Sequence, residues 1–180
     1  MWLLTTSFLY KYVVTNHMDI TFIKQILLDQ EKELKRSLAE ETLIEREHKH
    51  YVMRFLRYPN IVAILGVRRC GKSVFSFLLA SQLKNVRYVN FDDERFLGMK
   101  TEDLNQIIQA FYELYGDVEV IIFDEIQNVA GWELFMNRLR VTKKIIITGS
   151  NSNLLSGELS THLTGRYIDF TLYPFSFKEI

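Results

Sequence analysis

Cysteine is nearly missing from this sequence: Cys70 stands alone among 180 residues, with only two prolines and eight glycines. One thiol cannot build an internal disulfide framework and fits a reducing compartment, so a cytoplasmic location is expected. So few chain breakers, beside 48% apolar letters and 13% aromatic ones, exclude a disordered chain and predict one substantial buried core. No sign of charge is in excess, because 22 Lys and Arg face 22 Asp and Glu. Bulk charge therefore gives no footprint for nucleic acid or an acidic lipid surface, although local basic surface stays open. No internal repeat or low-complexity tract is present.

Residues 1–17, MWLLTTSFLYKYVVTNH, are apolar enough to raise a question of targeting. They lack a charge before Lys11, Lys11 interrupts them, no small-residue cleavage site follows, and about 20 apolar residues are needed to span a bilayer. They read as an upstream extension or a packed appendage, with no membrane anchor expected. Met18 opens a different pattern, MDITFIKQILLDQ, which begins as a capped amphipathic helix with Asp19 near its start. Residues 18–57 form an N-terminal segment of one or two charged amphipathic helices, and EKELKRSLAEETLIEREHKH is a solvated helix face. His48 and His50 are not a metal pair, since helical residues two apart point to different sides while a zinc pair wants a spacing of three or four.

From residue 58 to 180 strands and helices alternate. NIVAILG, VRYVNF, VEVIIFDE, KKIIITGS and RYIDFTLYPF read as strands, and SVFSFLLASQLK, TEDLNQIIQAFYELYG (ending at Gly116) and WELFMNRLR read as helices. Strands apolar on both faces, alternating with helices, predict an α/β fold of three layers around a mostly parallel sheet.

Between the first strand and its helix lies G-x-x-x-x-G-K-S, from Gly66 to Ser73. Gly66 and Gly71 let the backbone turn so that successive N–H groups point inward, and the next helix adds its N-terminal partial charge. The loop Gly66, Val67, Arg68, Arg69, Cys70, Gly71, Lys72, Ser73 and Val74 is thus a candidate cradle for the phosphates of ATP. Lys72 is expected to reach the β and γ phosphates and Ser73 to hold Mg2+. Free cysteines are commonly buried, so Cys70 is expected to pack behind the loop as a small, inert hydrophobe. The sharper alternative is a thiol on the phosphate side, its pKa lowered by the helix N-terminus and by Arg68 and Arg69.

VEVIIFDEIQ ends a buried strand on two acids, at the end that faces the ligand crevice of an open α/β sheet. Asp124 is expected to support Mg2+, directly or through water, and Glu125 to act as base for an attacking water. Ser150 or Asn151, after the strand at 144–148, is placed to meet the γ-phosphate or that water. Arg166, between a helical segment and the last strand, is either a surface arginine or a stabiliser of phosphoryl-transfer charge, in cis or from a neighbouring subunit.

The ordered set GVRRCGKS, YVNFDDERF, VIIFDEIQNVAGWELFMNRLR, IIITGSNSNLLSGELSTHLTGRY and LYPFSFKEI resembles the prokaryotic AAA-like ATPases described as archaeal-type, related to the signal-transducing STAND group. The resemblance covers roughly residues 18 to 180. It implies a P-loop NTPase core of ASCE type with strand order 5-1-4-3-2. It makes Lys72 and Ser73 part of Walker A, Asp124 and Glu125 Walker B, Ser150 the sensor-one residue and Arg166 an arginine finger. Asp92, Asp93 and Gln127 also match family positions, with no chemistry assigned. Members of the family usually continue into a winged-helix segment and a further domain. The chain is therefore expected to be truncated, its alternating Tyr173, Phe175 and Phe177 uncovered, and any protein or DNA partner to bind through the missing region.

An ATPase or ATP-driven switch is the favoured function, because the Asp124–Glu125 pair provides for attack by water, and a homo-oligomer is an open expectation beside it. A nucleotide-gated interaction or DNA-binding module with little hydrolysis is the main alternative. A small-molecule kinase would need an acceptor pocket and a mobile basic lid, and neither is legible.

Overall fold

Each β-branched apolar run becomes a strand: β1 (Ile61–Leu65), β2 (Val86–Asn90), β3 (Val120–Asp124), β4 (Lys144–Gly149) and β5 (Tyr167–Thr171). This computed structural model describes residues 18–40, 46, 49–81, 83–150 and 163–175. The readings made for residues 1–17, His48, Asn151 and Phe177 lie outside them. The helices are α1 (Ile20–Glu40), α2 (Lys49–Phe55), α3 (Lys72–Ala80), α4 (Leu104–Tyr115) and α5 (Trp132–Leu139). Asp19 caps α1 by accepting the Thr21 N–H at 3.1 Å. Gly116 closes α4 with φ 75, a left-handed value that glycine adopts without steric cost. The residues 101–103 expected to start that helix instead form a 3₁₀ turn.

All pairings are parallel, in the order β2-β3-β4-β1-β5. Counted from the other edge this is the expected 5-1-4-3-2. Every residue of β1 and β3 is buried, whereas β2 and β5, the two edges, are only partly so. That difference explains why the central strands read as continuous apolar runs and the outer ones as mixed. Alternate side chains enter two separate cores. Ile61, Ala63, Leu65, Ile121, Phe123, Ile145 and Ile147 pack under α1, α4 and α5. Val62, Ile64, Val120, Ile122 and Ile146 pack under α2 and α3. The result is the three-layer α/β architecture. Among the described residues no helix is long and apolar enough to cross a membrane.

Helix α1 is stitched to the β2 side of the sheet by polar groups. The Gln30 amide donates to the Asn90 carbonyl at 3.0 Å, and its oxygen accepts the Asn90 N–H at 2.9 Å. Its nitrogen also reaches Asp93 Oδ2 at 2.9 Å. Arg95 binds both Asp93, at 2.8 Å, and Asp29 of α1, at 3.0 Å. The Arg95 guanidinium, above all, holds the Asp93 carboxyl down at about 2.

Candidate functional site

At the carboxyl end of β1 the chain turns into the loop 66–71, which fixes α3. The two glycines serve different needs. A Cβ on Gly66 would lie 2.4 Å from the Leu172 carbonyl oxygen and 2.7 Å from Cys70 Sγ, so this position requires glycine because backbone approaches backbone. Gly71 has open space around it, but sits at φ 90 immediately before Lys72 opens α3. There an L side chain would be strained. Arg69 adopts a left-handed φ of 67 as well. The first N–H groups of α3 have no acceptor within the helix and bring its positive end to the loop.

Lys72 is 94% buried, and its ammonium donates to the Gly66 and Val67 carbonyls at 3.2 and 3.3 Å. It also lies 3.6 Å from Glu125 Oε1. Arg68 points outward, 3.6 Å from Asp92. The Cys70 thiol is 96% buried and packed toward Gly66 and Leu172 at the back of the loop. The loop turns its side chain toward the segment after β5. Arg46 backs the same loop: it donates to the Cys70 carbonyl at 3.1 Å and the Tyr173 carbonyl at 2.7 Å, with its guanidinium 4.1 Å from the Phe175 ring centre.

Beyond the loop lies the tip of β3. Asp124 is 97% buried, and both carboxylate oxygens accept from hydroxyls. Ser73 and Tyr88 donate to Oδ2 at 2.6 and 2.7 Å. Thr148 of β4 donates to Oδ1 and accepts the Glu125 N–H at 3.2 Å. Burial first, and then the Asp124 charge, push the Tyr88 phenol above its ordinary value, so it stays a proton donor. Glu125 is held at φ 52, ψ 42, a left-handed conformation that is strained for a residue with a Cβ. Its Oε2 accepts from Gln127 at 2.5 Å.

A basic group, a hydroxyl and two carboxylates from the loop, α3 and β3 therefore converge at one end of the sheet. A buried carboxylate 2.6 Å from a serine hydroxyl is an all-oxygen donor set suited to a hard divalent cation. The residues fit Mg2+. Ser150 follows β4 directly, and Gly149 pairs with Leu65, so it sits at this same end. Arg166 does not: Ile61 donates to its carbonyl at 3.0 Å, which puts it at the start of β1. Tyr167 is in register with Ile61, so at ~3.3 Å per strand residue Arg166 lies about 20 Å from the loop of its own chain. The arrangement therefore does not bring Arg166 to this site in cis. Asp93 belongs to the α1 stitch. Tyr88, Thr148 and Arg46 were missed by sequence reasoning; only Thr148, at the end of an apolar strand beside β3, carried a signal that could have found it.

A family model described as AAA domain matches residues 58–180. An uncharacterized protein of Haemophilus influenzae is 39% identical over 150 residues, 76% of this chain and 37% of the relative. Two uncharacterized proteins of Methanocaldococcus jannaschii are 38% and 26% identical over 125 and 131 residues, covering 67% and 66% of this chain. The chain spans only 28% and 27% of those two. The crystal structure of Saccharomyces cerevisiae RIF2 matches 91% of this chain and 67% of its own, with a TM-score of 0.52 at 16% identity, a likeness of fold alone.

Proposed function

This chain belongs to the AAA domain family, and from that premise we propose that it binds ATP with Mg2+ and hydrolyses it, as a cytoplasmic ATPase or ATP-driven switch of the archaeal-type group. The observation that carries the reading is the convergence of Lys72, Ser73, Asp124 and Glu125 at one end of the sheet. Backbone groups of Gly66 to Val74 cradle the phosphates, and Lys72 turns from its loop carbonyls to the β and γ oxygens. Ser73 and Asp124 are the residues that would hold Mg2+, which when bound would neutralise charge on the phosphates. Glu125 takes the proton of the attacking water, and Ser150 orients that water. Arg166 acts only on the site of a neighbouring copy, which makes the active form an oligomer.

The test is Glu125→Gln, which preserves size while removing the base. Phosphate release should fall by roughly 10²- to 10⁴-fold, with ATP affinity retained. Undiminished release removes Glu125 from the mechanism. ATP binding without release by the unaltered chain supports instead a nucleotide-gated module.

A further inference from the structure

Of the three hydroxyls on Asp124, the nucleotide chemistry employs Ser73 and leaves Tyr88 and Thr148 without a role; Tyr88 shares its oxygen with Ser73. On β2 it pairs in register with Ile122, two residues before Asp124 on β3. Strand side chains two apart share a face, so the phenol runs along the sheet and reaches Oδ2 at 2.7 Å. Its ring lies 5.5 Å from that of Phe77. Phe77 follows Ser73 by four residues on α3, one turn of the same helix face. The ring is therefore held between the strand that carries the carboxylate and the helix that carries the serine.

Ser73 and Tyr88 share Asp124 Oδ2, but they are not equivalent. A serine that offers an oxygen lone pair to a cation must turn its proton away from the carboxylate. Oδ2 then loses one of its donors, and a buried carboxylate short of donors is costly. Tyr88 has no such second duty. Resting on the proposed nucleotide function, we infer that Tyr88 is a positioning residue: its hydroxyl keeps the Asp124 carboxylate oriented toward the metal position when Ser73 leaves it. Tyr88 thereby sets the metal-dependent part of nucleotide affinity. Thr148 complements it on Oδ1.

The experiment is calorimetric titration of the full chain with AMP-PNP, once with excess Mg2+ and once with EDTA, for the unaltered protein and Tyr88→Phe. Phenylalanine keeps the ring against Phe77 and removes only the donor. The affinity gained from Mg2+ should shrink by ~10-fold, as expected for loss of one hydrogen bond to a charged group, while affinity in EDTA stays within about twofold. Equal loss under both conditions would assign Tyr88 to general structure and overturn the inference, and so would an undiminished Mg2+ gain. If Tyr88→Phe does not fold, Tyr88→Met keeps apolar volume without a donor and must give the same selective loss. Failure of the unaltered chain to bind AMP-PNP defeats the proposed function itself, an outcome distinct from either result on the variant.

Discussion

The loop 66–71 and the tip of β3 lie at the same end of the sheet but are built by opposite means. The loop is a backbone device: Gly66 admits the Leu172 carbonyl, Gly71 supplies a positive φ, and Lys72 is held by the loop's own carbonyls. The tip is a side-chain device, in which Ser73, Tyr88 and Thr148 bring hydroxyls from α3, β2 and β4 to one buried carboxylate. A backbone device is tolerant of side-chain chemistry and intolerant of volume; a side-chain device is the reverse.

The largest effect that tests this contrast comes from Gly66→Ala, whose methyl meets backbone that cannot move aside. Overpacking of this kind should cost about 3 kcal/mol, read by urea unfolding. Gly71→Ala meets only open space and should cost about 1 kcal/mol from its φ. Equal losses would break the distinction between the two glycines.

Thr148→Val, nearly isosteric, should cost about 2 kcal/mol, because it deprives both Asp124 Oδ1 and the Glu125 N–H of a partner. Thr148→Ser should recover most of it. A stability loss that serine does not repair would make packing, and not the hydroxyl, the important feature of the tip.

The smallest effect sharpens the contrast with a third region held by charge. Asp93 has a folded pKa of about 2 against an ordinary 3.8, so its contribution is complete above the ordinary value and is lost as pH falls through about 2. Allowing for solvent screening, unfolding measured at pH 5 and pH 2 should reveal about 1 kcal/mol that is absent in Asp93→Asn. An identical slope in the variant would show that the α1 stitch does not depend on that charge.

The same contrast governs what the sequence discloses. The loop was legible because its determinants are consecutive: two glycines, a lysine and a serine at fixed spacing between a strand and a helix. Strand order was legible through the family resemblance, and the buried strands through their apolar runs. The tip was legible only in its acids. Tyr88 is 36 residues from Asp124 and Thr148 is 24 away, so only parallel register makes them neighbours. Arg46 reaches the loop from 24 residues upstream, within a stretch whose charges looked like a solvated face. Arg166 was placed by order along the chain, and order does not reveal that β5 begins at the far end of the sheet.

One consequence of Gln30 concerns solubility. An outer strand offers its free N–H and C=O groups as a template on which a foreign strand can add, the first step toward aggregation. Because the Gln30 side chain mimics a peptide unit and engages both groups of Asn90, it acts as a one-residue strand that cannot propagate. Helix α1 is thus a molecular stopper for that edge, and a chain beginning after residue 40 would carry its sheet into solution without this protection.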